Sequence, residues 1–174
     1  MICEAFAWPD VCYYRIGKAA SRTLTGYFHD RAESPEKALH PVPMEFGAEC
    51  SVRFAVIRHP VARVLSYWAD AKHRDMSFDC YVDKIPYLAE VCDPHVTPFS
   101  GVEDRVTHLY PLETMDVWWT RMQAVSGMFG ERPRRRKGVS SLPKPEPTIA
   151  QLDWLTEFYR SDIQLWEQTC KTLP

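Results

Sequence analysis

Tyr13-Tyr14-Arg15-Ile16-Gly17-Lys18-Ala19-Ala20-Ser21-Arg22-Thr23-Leu24 is the stretch whose reading decides the fold. An aromatic and β-branched run, beginning at Val11, feeds a turn of small residues that carries one lysine. The turn then opens into a segment with helical spacing. A strand, a small-residue turn and a helix start together make an anion cradle, because helix-terminal N–H groups, a lysine and hydroxyls all point toward negative charge. A second segment, Phe54-Ala55-Val56-Ile57-Arg58-His59-Pro60-Val61-Ala62-Arg63-Val64-Leu65-Ser66-Tyr67, ends a strand in an arginine and places a serine one helix later. Two anion sites on neighbouring strand ends call for a ligand with two separated phosphates.

Working outward, Val11–Ile16 and Val52–Ile57 read as buried strands, with a helix over Arg22–Arg31 between them. Prolines 35, 41 and 43 break Glu33–Glu49, which leaves room for a short strand at most. Pro60 is a good first-turn residue, and Val61, Val64, Leu65 and Trp68 then recur at helical spacing. Phe78–Glu90 is a further helix, weakened by Pro86, and Thr107–Tyr110 a short strand. Met115, Trp118, Trp119, Met122 and Val125 mark an amphipathic helix whose tryptophans read as core. Thr148 with Gln151 forms a capping-box pattern at the start of the last helix, with Leu152, Leu155, Tyr159 and Trp166 on one face. This order predicts an α/β fold with a small parallel sheet flanked by helices, residues 1–174 forming one domain.

The 174 residues can bury roughly 70% of the unfolded surface. A net charge of −2 argues against a general nucleic-acid binder. No window approaches the ~20 apolar residues of a membrane span, and Met1–Pro9 lacks the basic and apolar regions of an export signal. A cytoplasmic protein is expected. Six cysteines are scattered without a CxxC pair, so neither a zinc ribbon nor a redox motif is present. Cys12 and Cys80, among apolar neighbours, read as buried thiols.

The lysine turn lacks the Walker A spacing, and no apolar run ends in a Walker B-type acid. A nucleotide site of that kind fits a group transfer without a metal ion. Together the two segments resemble the cofactor motifs of sulfotransferases that use 3′-phosphoadenosine 5′-phosphosulfate (PAPS). The match is to the carbohydrate branch related to heparan sulfate 2-O- and chondroitin/dermatan sulfotransferases and to microbial relatives. Lys18-Ala19-Ala20-Ser21-Arg22-Thr23 follows the 5′-phosphate motif except at Arg22, and Arg58 through Tyr67 follows the 3′-phosphate motif with an offset around Leu65. Asp93–Phe99, Tyr110–Met115 and Phe158–Trp166 resemble three further family elements, in family order.

The resemblance implies a P-loop-like nucleotide-binding sulfotransferase fold, PAPS as sulfuryl donor, its desulfated product adenosine 3′,5′-bisphosphate (PAP), and no metal. Lys18 would meet the 5′-phosphate and the bridging oxygen. Ser21, Thr23 and the backbone of Ala19, Ala20 and Arg22 would hold the 5′-phosphate, and Arg58 and Ser66 the 3′-phosphate. The acceptor would be a hydroxyl, on a carbohydrate. A general base is needed, and histidine suits it. His40, placed like the catalytic histidine of the 2-O-transferring relatives, competes with His95, and Glu45 or Glu49 stay open. Glu113 reads as structural. Gly17 stands where the family often has proline, which is expected to loosen the turn, and His59 replaces an acidic or amide residue. The run Arg132–Lys137 is a solvated loop, or steers an acidic polysaccharide, or closes over the nucleotide through Arg135 or Lys137. Two readings of other classes stand beside this one: a nucleotide-binding module without catalysis, and a P-loop kinase relative.

Overall fold

The structure, a computed structural model, describes residues 4–8, 11–31, 40–42, 49–70, 75–126, 130–132 and 143–172. Five strands form one sheet: β1 (Glu4–Trp8), β2 (Val11–Arg15), β3 (His40–Val42), β4 (Val52–Ile57) and β5 (His108–Pro111), in the spatial order β3-β1-β2-β4-β5. β2, β4 and β5 run parallel, with Tyr13 opposite Phe54 and Val56 opposite Tyr110. The expected parallel sheet is therefore present, extended on one side by the antiparallel β1 and β3. β1 is a strand the sequence reading missed. Its partner lies only two residues on, across Pro9-Asp10, both turn-forming types. Proline tolerates β3 because β3 is an edge strand.

The helices are α1 (Ser21–Arg31), α2 (Pro60–Trp68), α3 (Phe78–Glu90), α4 (Met115–Ser126), α5 (Ile149–Phe158) and α6 (Arg160–Thr172). β2 and β4 are buried almost throughout, as parallel strands covered on both faces must be. One core gathers aromatic residues on the sheet. Tyr13 stacks on Phe54 at 5.0 Å, Phe28 of α1 meets Phe54, and Trp119 of α4 meets Tyr27 edge-on at 4.9 Å. Trp118 is fully buried, stacked on Tyr110, and its indole N–H donates to the Pro111 carbonyl. The helical spacing predicts at least one of the tryptophans in the core; both are there. A second core joins α2, α3 and α5 through Val64, Tyr81, Ile85, Leu155 and Tyr159.

Three local expectations change. Cys80 is exposed: the Ser77 hydroxyl caps α3 by accepting from the Cys80 N–H, which sets Phe78, Tyr81, Val82 and Ile85 inward and Cys80 outward. Cys12 is buried as expected, and burial, with the neighbouring Cys50, pushes its thiol up to about 12. The single last helix is two, parted at Tyr159, whose hydroxyl donates to the Val96 carbonyl at 2.5 Å. The capping box at Thr148 and Gln151 is formed, and the Gln151 amide also donates to Asp79 of α3. That contact turns Leu155 inward and leaves Leu152 exposed. Among the described residues no helix is long and apolar enough to cross a membrane.

Candidate functional site

Because β2 and β4 are parallel neighbours, the turn after β2 and the residue after β4 emerge side by side. Arg58 Nη1 donates to the Lys18 carbonyl at 3.4 Å, joining the two segments that the sequence singled out. In the turn, Lys18 and Ala20 adopt left-handed φ angles of 62° and 60°. Such conformations cost on the order of 1–3 kcal/mol outside glycine and concentrate at functional sites. Ala19 is fully buried, its N–H on the Ile16 carbonyl, and the Ala20 carbonyl receives the Leu24 N–H to open α1. Ser21 and Thr23 are buried in the first turn of that helix.

The Lys18 ammonium pairs with the Asp70 carboxylate and stands 5.5 Å from the centre of the Tyr67 ring. Arg22 reaches the same Asp70 oxygen at 3.4 Å. Arg22, the departure from the 5′ motif, is thus turned toward the lysine's counter-ion. Ser66 is half-buried on α2, four residues before Asp70.

His95 lies in the turn that follows α3. Its Nδ1 is 2.9 Å from Asp93 Oδ1, and its backbone N–H donates to the same oxygen. The Tyr67 hydroxyl donates to the other oxygen at 3.1 Å, and the Tyr67 ring stacks on the imidazole at 4.2 Å. Burial would raise the Asp93 carboxyl, but these hydrogen bonds outweigh it and hold the group below its ordinary value. Asp93 is therefore an acceptor, and the His95 proton sits on Nδ1. Burial lowers His95 below the ordinary imidazole value; Asp93 pulls it up, and Lys18 and Arg15 push it down. A neutral ring with its lone pair on Nε2 is the form a general base needs. The ring borders the lysine turn through Cδ2, the carbon next to Nε2, because a Cβ on Gly17 would stand 2.9 Å from that atom.

The same Cβ would stand 2.6 Å from the Pro94 carbonyl oxygen. Gly17 therefore does not loosen the turn. It lets the lysine turn pack directly on the His95 turn.

His40 is elsewhere in the sheet. It opens β3, opposite Ala7, which is opposite Cys12. Two strand spacings and six residues separate it from Lys18, putting the two backbones more than about 15 Å apart. Arg135, Lys137 and Glu45 lie outside the described residues; Glu49 is exposed, just ahead of β4.

Glu113 is structural, as expected. One carboxylate oxygen accepts the His59 N–H at 3.1 Å at the start of α2, and the other accepts the Trp166 indole N–H at 3.0 Å. His59 packs edge-on against Trp166, and burial lowers its pKa. Arg63 is fully buried, donates to the Thr97 carbonyl at 2.9 Å and lies 3.9 Å from Asp162. Asp162 accepts the N–H groups of Phe99 and Ser100, so it anchors the end of the His95 turn.

The chain matches no protein-family model, no curated protein and no solved structure.

Sequence reasoning singled out Lys18, Arg58 and His95 but missed Asp70, Asp93 and Tyr67 as members of one cluster. The aspartate two residues before His95 was the only local signal. Asp70 left none, since its partners are 52 and 48 positions away.

Proposed function

We propose that this chain is a sulfotransferase that moves a sulfuryl group from PAPS to a hydroxyl, on a carbohydrate acceptor. The observation that carries the reading is the junction of the Lys18 turn with Arg58 on neighbouring parallel strand ends, with the His95–Asp93 pair packed against it. Two cationic residues on neighbouring parallel strand ends fit a nucleotide with separated phosphates. The first turn of α1 adds backbone N–H groups and the buried hydroxyls of Ser21 and Thr23 on the 5′-phosphate side. On the 3′-phosphate side Arg58 would offer a fork of donors and Ser66 of α2 a hydroxyl.

When bound, the nucleotide supplies the sulfuryl group: the bond from the acceptor oxygen to sulfur forms as the bond from sulfur to the 5′-phosphate oxygen breaks. Within the chain, His95 Nε2 takes the acceptor hydroxyl's proton, and Asp93 fixes the ring and offsets the imidazolium charge. The Lys18 ammonium neutralises the charge that develops on the leaving phosphate, where preorganised charge contributes most. His95 is preferred over His40 as the base because its ring borders the lysine turn, whereas the His40 backbone is on the far side of the sheet.

The test is calorimetric titration with PAP, beside AMP and ATP, with and without magnesium. Metal-independent binding of PAP over AMP supports the two phosphate sites, and radiolabelled sulfate transfer to a carbohydrate panel then tests the reaction. PAP binding without transfer would leave a nucleotide-binding module. Magnesium-dependent ATP turnover would replace the reading with a kinase-type one.

A further inference from the structure

Asp70 is oddly placed for its own helix. Ala69 caps α2 at its carboxyl end, and the Asp70 N–H donates to the Tyr67 carbonyl. A helix carboxyl end is its negative pole, where a carboxylate is disfavoured. The two cations beside it favour an acid there. The Lys18 side chain is only 12% exposed, and an ammonium so far from water needs a counter-charge. Asp70 supplies it and shares it with Arg22.

We propose that Asp70 is an internal stand-in for the anionic ligand, holding Lys18 and Arg22 until a phosphate group displaces its carboxylate. The inference rests on the anion-cradle part of the reading above. A phosphate oxygen seeks the same ammonium and guanidinium groups that Asp70 Oδ2 now pairs with, so the two anions compete for them. Once displaced, Asp70 faces a bound anion and the negative helix end, and both repel it. The exchange keeps the part-buried ammonium paired, and it sets the cradle's affinity for anions below what the cations alone would give. Asp70 is thus a determinant of affinity rather than a catalytic residue.

Asp70→Asn keeps the shape and removes the competing charge. Titrated with pyrophosphate and with PAP, it should bind on the order of tenfold more tightly than the unaltered chain, a change of one logarithmic step in affinity. The gain should vanish when Lys18→Ala is added. Asp70→Ser should change affinity in the same direction, and thermal melting identifies any variant that does not fold. A measurement without mutation runs beside these: the Asp70 side-chain carboxyl carbon, followed by NMR, should shift as pyrophosphate is added. Equal or weaker anion binding by both Asp70 variants overturns the proposal and makes Asp70 a structural support for Lys18. An unmoved carboxyl signal at saturation overturns it as well. Pyrophosphate binding with the expected gain, but no PAP binding, supports the stand-in and refutes the sulfotransferase reading. No anion binding by any variant refutes both.

Discussion

Replacing Gly17 with alanine tests how tightly the lysine turn is built onto the His95 turn. The added Cβ would sit 2.6 Å from the Pro94 carbonyl oxygen, about 0.8 Å inside an ordinary 3.4 Å contact, and 3.1 Å from His95 Cα. Both obstacles are backbone, so no side chain can swing aside. Overpacking of this kind costs typically 1–3 kcal/mol. Alanine also narrows the unfolded ensemble, which returns about 0.4–1 kcal/mol. The net expectation is a destabilisation of about 1–2 kcal/mol, or roughly 2–8 °C in Tm at this chain length. The relaxation must part the two turns, so the His95 ring moves off the cradle. Urea denaturation measures the first effect, and sulfate transfer at saturating PAPS the second. Transfer should fall by more than PAP affinity does, because in the proposed function the lysine turn and Arg58 hold the phosphates while the other turn holds the base. A Gly17→Ala variant as stable as the parent, or more so, would refute the packing argument.

Lys18→Ala should lower the transfer rate on the order of 10²–10³-fold while weakening PAP binding less, and Arg58→Ala should chiefly weaken PAP binding; transfer at the normal rate without Lys18 rules out its catalytic role. For the base, activity should fall as pH drops through the His95 pKa, which lies below the ordinary 6.5. Asp93 raises that value, so Asp93→Asn should move the acid limb to still lower pH and reduce the plateau by roughly tenfold or more. An unmoved or upward-moving limb removes Asp93 from this positioning role. Asp162→Ala should cost about 3–5 kcal/mol in urea unfolding, since it strands a buried arginine and frees the N–H groups of Phe99 and Ser100. A loss under about 1 kcal/mol, the range of exposed pairs, would show that Arg63 is held by Thr97, Phe99 and Tyr159 instead.

What the sequence by itself determined is local. Val52–Ile57 reads as a strand because Phe54 to Ile57 is an unbroken apolar run, and Thr148 with Gln151 starts a helix because both partners of the cap lie within one turn. The lysine turn and the arginine after β4 were legible for the same reason, and so was a core position for at least one of Trp118 and Trp119. Tertiary structure decided everything that depends on strand order and on contacts across many residues. It placed β4 beside β2, so that Arg58 meets Lys18. It seated His95 against Gly17 and put His40 two strands away at the other end of the sheet. It also gave Lys18 a counter-ion 52 positions on. An ion pair or a glycine contact of that span has no period in the chain. It exists only once the sheet has brought the strand ends together, and for that reason the lysine turn could be read from the sequence while the groups that pair with it could not.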